Sequence, residues 1–155
     1  MLMHSEVIHR SSTTTGTSSG TSLVRSRPTR RVVARTTLRG HVGHDHSPDS
    51  YGHWHEGRAE VQFFLEYDCG TEPLDRVVAK LDGYADLITA TGITTPVLFW
   101  LPGPRREAAL RRLLHPSSVP IATAHPLASR TPADAIWLRH DTTHEGRTRL
   151  ASVAQ

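Results

Sequence analysis

Apolar and amphipathic segments alternate between residues 59 and 138. Apolar side chains recur every three to four positions over residues 73–89, which predicts an amphipathic helix ending near Gly92. Residues 96–101 are almost wholly apolar, as in strands that are covered on both faces. Because helical crossovers join short strands, the sequence predicts parallel connections in a mixed α/β sheet. In chain order, the predicted elements are an extended segment 49–54, a turn 55–58, a strand 59–68, the first helix, the strand 96–101, a second helix 104–114 and short strands at 120–123 and 135–138.

The first forty residues differ in composition from the rest of the chain. They contain fifteen Ser or Thr and seven Arg against one acid, Glu6. Residues 11–22 have no large apolar side chain to offset the entropy lost on ordering. We therefore expect a disordered arm at 1–40, within which a strand or short helix at 23–40 stays open, an α/β core at 41–140 and a polar tail at 141–155. The pI of about 9.6 then reflects mainly the arm and does not indicate a basic face on the core.

The cysteine content and the hydropathy of the chain limit the cellular compartments in which we expect it. Cys69 is the only cysteine, which excludes an internal disulfide. No apolar run approaches the roughly 20 residues that cross a bilayer, and no apolar signal-peptide core follows Met1. We expect a cytoplasmic protein without a membrane partner.

Two carboxylates near the end of the predicted strand 59–68 suggest a cation-binding site. Glu66 and Asp68 are two residues apart, so both point to one face, where their repulsion calls for a cation. In a hairpin whose paired residue numbers add to 115, Asp49 lies opposite Glu66, whereas an even total would place it on the other face unless a bulge intervened. Three converging carboxylates suit Mg²⁺. The alternative is an exposed sheet edge without a ligand.

Lys80 is the only lysine beside seventeen arginines. It lies about 90° from the centre of the apolar stripe of the first helix, close to Tyr84, and has no acid at helical spacing. We expect it either to reach the carboxylates, where an ammonium can position a water or stabilise charge, or to lay its stem over apolar surface. Candidate catalytic residues are Asp49, Glu66, Asp68 and Lys80, the three acids also being candidate metal ligands, with His53 and Tyr84 as neighbouring groups.

Other polar clusters support less specific interpretations. Imidazole favours zinc and related metals, but irregular spacing favours a solvated loop for the histidines His41, His44, His46, His53 and His55. In the second helix the residues expected to face inward are Ala108, Leu110, Leu113 and Leu114. The arginines expected to form a solvated face, with phosphate contact as the alternative, are Arg105, Arg106, Arg111 and Arg112. Core positions are expected for Trp54, Trp100 and Trp137.

Three runs carry a resemblance to a known family. The chain resembles the replication-relaxation proteins of actinobacteria and their plasmids at PDSYGHW (48–54), FFLEYDCGTEPL (63–74) and KLDGY (80–84). The similarity continues at 95–102, 105–107 and 120–124, and so spans about residues 47–140. Family members resemble PD-(D/E)XK nucleases, which implies a restriction-endonuclease-like mixed sheet flanked by helices.

The resemblance also implies roles. Asp49 matches the aspartate of the Pro-Asp pair and Glu66 the acid of the second motif. Asp68 stands where such nucleases usually carry lysine, and Lys80 is the candidate replacement. The implied partner is DNA, with replication or mobilisation proteins as further candidates, and the implied cofactor is Mg²⁺. The function is then phosphodiester hydrolysis in plasmid or mobile-element replication, or an inactive module that binds nucleic acid or protein. Residues 1–40 do not resemble the family's winged-helix domain, so the chain resembles a C-terminal fragment.

Overall fold

A seven-stranded mixed sheet forms the centre of the molecule. The computed structural model describes residues 31–35, as backbone, together with residues 48–140 and 146–155. The strands stand side by side in chain order, and β3, β4 and β5 are parallel while the other neighbours are antiparallel. The strands are β1 (Arg31–Arg35), β2 (Ser50–Glu56), β3 (Ala59–Tyr67), β4 (Val97–Trp100), β5 (Ile121–Ala124), β6 (Trp137–Arg139) and β7 (Arg147–Thr148). The predicted mixed α/β sheet is confirmed.

Both helices cover one face of this sheet. The helix α1 (Leu74–Thr91) connects β3 to β4, and α2 (Pro104–Leu113) connects β4 to β5. Because β4 and β5 are each added on the same side of the preceding parallel strand, crossovers of one hand place both helices on the same face. The helix α1 ends where Gly92 takes a left-handed conformation, φ 68°, as predicted.

The other face of the sheet is also buried. Residues on the helical side include Phe64, Val97 and Phe99, whereas Leu98 points to the opposite side and packs in a second apolar cluster with Trp137. This two-sided burial explains the almost wholly apolar sequence of β4. Of the three tryptophans, Trp54 and Trp137 are buried and Trp100 is half-buried, in accord with the core positions expected for them.

The C-terminal segment belongs to the core, so the expected polar tail at 141–155 is wrong for its described part. The strand β7 pairs with β6, and a short 3₁₀ helix (Leu150–Ser152) follows it. Leu150, Ala151 and Val153 are buried in the cluster that covers the non-helical face. Residues 141–145 lie outside the described residues.

The expected arm at 1–40 also needs correction. Residues 31–35 form β1, the edge strand of the sheet, so the strand alternative for 23–40 holds at these positions. Backbone hydrogen bonding to β2 joins this segment to the sheet, although most of the surrounding arm is polar. The remainder of the arm, residues 1–30 and 36–40, lies outside the described residues.

The inward face of α2 differs from the predicted one. Leu110 and Leu114 are buried as expected, but Ala108 and Leu113 are exposed and Glu107 points inward. The polar partners described below stabilise this inward carboxylate, which an apolar pattern alone cannot reveal.

Candidate functional site

The four predicted catalytic residues line one cleft at the end of β3. The cleft has a volume of about 210 Å³, and its lining includes Asp49, Glu66, Asp68 and Lys80. The strand β3 supplies Glu66, and Asp68 directly follows its last residue, Tyr67. In the β2–β3 hairpin the paired residue numbers add to 115, as in Ser50 opposite Leu65, so of the registers left open by the sequence the structure has the one that brings Asp49 beside Glu66. The helix α1 places Lys80 over the same end of the strand.

Glu66 is a buried carboxylate with two partners. The residue is only 3% exposed to solvent. One oxygen, Oε2, accepts a hydrogen bond from Lys80 Nζ at 2.9 Å, and the other, Oε1, accepts one from the Tyr84 hydroxyl. Burial, followed by the hydrogen bond to Glu66, raises the pKa of Tyr84 well above its ordinary value. Tyr84 therefore stays a hydrogen-bond donor and fixes the orientation of Glu66.

Lys80 is a cation held at the rim of the cleft. Burial is the largest influence on its pKa and lowers it, but the hydrogen bond and charge of Glu66, with the charges of Asp49 and Glu72, outweigh burial and raise the pKa. Lys80 Nζ is 3.6 Å from Glu72 Oε2. An ammonium with a raised pKa stays protonated at neutral pH, so it can orient or stabilise other groups but cannot act as a base.

Asp68 is bound by an arginine from α2. Arg106 donates from Nε to Oδ2 at 2.6 Å and from Nη2 to Oδ1 at 3.1 Å, and the backbone N–H of Gly70 donates to Oδ1 at 2.7 Å. The hydrogen bond to Asp68 is the main cause of the raised pKa of Arg106. The solvated face expected for this arginine is therefore wrong, because buried Asp68 requires a cationic partner.

Asp49 is the exposed carboxylate of the set. Its Oδ2 accepts a hydrogen bond from the backbone N–H of Tyr67 at 2.9 Å. This bond ties the residue before β2 to the last residue of β3 and holds the carboxylate beside the cleft. Because Asp49 is exposed, its position can change without disturbing the core.

The donor set fits Mg²⁺ in part. Asp49 and Glu66 offer carboxylate oxygens, the ligands that Mg²⁺ prefers. Asp68 fits less well than Glu66, because Asp68 accepts three hydrogen bonds, two from Arg106 and one from Gly70. Glu66 accepts two and keeps a second lone pair on each oxygen. The carboxylates around the cleft are Asp49, Glu66, Asp68 and Glu72, and the cations among them are Lys80 and Arg106. Among the residues that the structure describes, four carboxylates and two cations give this set a formal charge of −2.

His53 does not reach the cleft. In the hairpin register it lies opposite Gln62, four residues before Glu66, and its side chain contacts Glu60. The structure thus brings Tyr84 but not His53 next to the carboxylates. His41, His44 and His46 lie outside the described residues.

A second polar cluster was not predicted from the sequence. Glu107 of α2, only 3% exposed, accepts hydrogen bonds from Thr123 Oγ1 at 2.8 Å, His125 Nδ1 at 2.6 Å and Arg147 Nη2 at 2.7 Å. Arg111, also expected to be solvated, instead donates to the Thr123 hydroxyl and to the carbonyl oxygens of residues 138 and 139. The sequence does place a charged residue, Glu107, in an amphipathic helix. Its ion-pair partner Arg147 lies forty residues away, so local spacing does not identify it.

A comparison with protein families finds a match. The family model described as replication-relaxation matches residues 7–98, more than half of the chain. No curated protein and no solved structure matches the chain. In the described ranges, neither helix combines the length and apolar character that a membrane span requires. The chain belongs to the replication-relaxation family, and its role is therefore in a DNA transaction.

Proposed function

We propose that this protein hydrolyses DNA phosphodiester bonds with the help of Mg²⁺, as a PD-(D/E)XK-type enzyme of the cytoplasm. We further propose that it serves the replication of an actinobacterial plasmid or mobile element. The observation that carries the proposal is the placement of the chain's only lysine, 2.9 Å from buried Glu66, at an open cleft that also holds Asp49.

The charge of the cleft supports a metal requirement. In the described part of the chain, four carboxylates stand against two cationic groups at the cleft, and this charge would repel a DNA phosphate. A bound divalent cation would offset this charge, and Asp49 and Glu66 are the residues that would hold it. Mg²⁺ bound there would polarise a phosphoryl oxygen and lower the pKa of a coordinated water.

The chain's own residues provide positioning and charge. Tyr84 and Lys80 fix Glu66 from two sides, so its carboxylate does not need to reorganise. Lys80 has three donor hydrogens, of which one binds Glu66, and the others can orient a water or stabilise charge that develops on a phosphate oxygen. The Asp68–Arg106 pair joins the end of β3 to α2 and keeps the cleft walls in place.

Cleavage of supercoiled plasmid DNA with and without Mg²⁺ tests the proposal. We expect nicking by the parent protein, lost in Glu66→Gln and reduced about 10²- to 10³-fold in Lys80→Met, as when one donor to a developing charge is removed. Asp49→Asn should lose activity without a change in unfolding, because the residue is exposed. Asp86→Asn, an exposed acid farther along α1, is the matched control and should cleave normally.

Two results would overturn this proposal. One is the absence of metal-dependent cleavage by the parent protein on supercoiled, linear and single-stranded DNA. The other is unchanged cleavage by Lys80→Met. Circular dichroism of each variant separates loss of chemistry from loss of fold.

A second candidate function is an inactive module that binds nucleic acid, or replication or mobilisation proteins. The observation that favours it is that both buried carboxylates of the cleft already have a cationic partner, Lys80 for Glu66 and Arg106 for Asp68. Each buried carboxylate is thus charge-compensated without a metal. Binding of labelled DNA by the parent protein, unchanged in Glu66→Gln and without cleavage, would support this function and exclude the first.

A further inference from the structure

Three side chains near the turn of the β2–β3 hairpin form a group separate from the cleft. His53 and His55 are two residues apart on β2 and therefore point to the same face of the sheet. Glu60 lies opposite His55 on β3 and shares that face. One ligand atom from each of the three side chains lies within 4.8 Å of the others.

The contacts within this group are direct. His53 Nε2 is hydrogen bonded to Glu60 Oε1, and His55 Nδ1 is 3.8 Å from Glu60 Oε2. The two imidazole rings lie 4.1 Å apart between centroids. Glu60 is 53% exposed and both histidines are partly exposed, so an ion from solution can reach all three.

We propose that His53, His55 and Glu60 bind a transition-metal ion of the Zn²⁺ class. Imidazole nitrogens favour Zn²⁺ and its neighbours over Mg²⁺, which distinguishes this group from the all-oxygen cleft. Ligand atoms around a tetrahedral zinc lie about 3.3 Å apart, given bonds near 2.0 Å. Spacings within 4.8 Å therefore close onto one ion by small side-chain rotations. Three protein ligands leave a fourth position for water or a bound molecule.

The position of the group suggests what the ion does. It would bridge β2, through the two histidines, to β3, through Glu60. The hairpin register that this bridge would stabilise is the one that places Asp49 beside Glu66. Metal binding here does not depend on the cleft being catalytic.

Titration calorimetry with Zn²⁺ and visible absorption of Co²⁺, on full-length protein without a histidine tag, test the site. We expect one ion per chain in the parent protein, no binding at this stoichiometry in the double variant His53→Ala/His55→Ala, and affinity at least tenfold lower in Glu60→Gln. Glu60→Gln keeps the size of the side chain, so its loss of affinity reports on the ligand. Zn²⁺ should also raise the melting temperature of the parent protein more than that of Glu60→Gln.

Controls separate this site from other histidines and from the cleft. His115→Ala, an exposed histidine elsewhere, and Glu66→Gln should bind Zn²⁺ as the parent protein does. The triple variant His41→Ala/His44→Ala/His46→Ala should also retain binding. Absence of stoichiometric binding in the parent protein, or binding lost in the triple variant but kept in His53→Ala/His55→Ala, would overturn the proposal.

Discussion

Replacing Glu107 by glutamine should destabilise the protein substantially. The carboxylate lies on the inner face of α2 and accepts hydrogen bonds from Thr123 of β5, His125 and Arg147 of β7. It therefore joins a helix, the centre of the sheet and the C-terminal segment. The amide has nearly the same shape, but it removes the negative charge and turns one acceptor into a donor that faces other donors.

The expected magnitude follows from how far each partner is buried. Removing one member of a buried ion pair costs about 3–5 kcal/mol, since the other charge stays behind without compensation. Arg147 is 24% exposed in its side chain, so water can solvate part of its charge. We therefore expect a loss of about 2–3 kcal/mol in the free energy of unfolding. For a chain of this size that corresponds to a melting temperature lower by roughly 5–10 °C.

The pH dependence gives a second measure. Burial is the largest influence on the pKa of Glu107 and raises it, but the hydrogen bonds from Arg147, Thr123 and His125 outweigh burial and lower the pKa. A carboxyl group with a lowered folded-state pKa contributes stability above its unfolded pKa and loses it as the pH falls through the folded pKa. The difference between parent and variant should thus be full at pH 7 and shrink below about pH 4.5.

Urea unfolding followed by tryptophan fluorescence at pH 7 and at lower pH measures both effects. The control is Asp86→Asn, an exposed acid on α1, which should change the free energy of unfolding by less than about 0.5 kcal/mol. A loss below about 1 kcal/mol in Glu107→Gln would refute the reasoning, because the ion pair would then contribute no more than an exposed one.

Two further predictions concern packing. At Gly52 a Cβ atom would lie 2.3 Å from the ring of buried Phe63. We therefore expect Gly52→Ala to lower the free energy of unfolding, measured with urea, by about 1–3 kcal/mol, and by less in a Phe63→Leu background. An equal loss in both backgrounds would contradict the proposed clash. Leu150→Ala should lower the free energy of unfolding by about 2–5 kcal/mol in the same assay, because Leu150 is buried in the C-terminal 3₁₀ helix. An unchanged free energy would contradict the packing of this segment in the core.

Features that depend on neighbouring residues could be predicted from the sequence. The helix ending at Gly92 and the apolar strand β4 each follow from local spacing. The sequence left the hairpin register open: it showed only that a total of 115 would bring Asp49 opposite Glu66, and the structure has that register. The sole lysine was conspicuous because the chain otherwise uses arginine for positive charge.

Charge pairing across the fold could not be predicted. Arg106 reaches Asp68 from 38 positions away, and Arg147 reaches Glu107 from 40. Seventeen arginines offer many alternative partners, and helical periodicity assigns a charged residue to the solvent side by default. The largely polar sequence after residue 140 likewise predicts a tail, although Leu150 and Val153 pack in the core.

In the part of the chain that the structure describes, three buried carboxylates each pair with an arginine or a lysine, and these pairs differ in which donor groups they leave available. Arg106 binds both oxygens of Asp68, and Arg147 donates to both oxygens of Glu107, so these guanidinium groups are committed to the fold. Lys80 donates to one oxygen of Glu66 and lines the open cleft. If the proposed hydrolysis is correct, Lys80→Arg should preserve the charge and the stability but lose cleavage, because a planar guanidinium can bind both oxygens of Glu66 as Arg106 binds those of Asp68. Unfolding and plasmid nicking measured on the same preparation test this, and full cleavage by Lys80→Arg would show that charge alone, without the compact ammonium, is what the cleft requires.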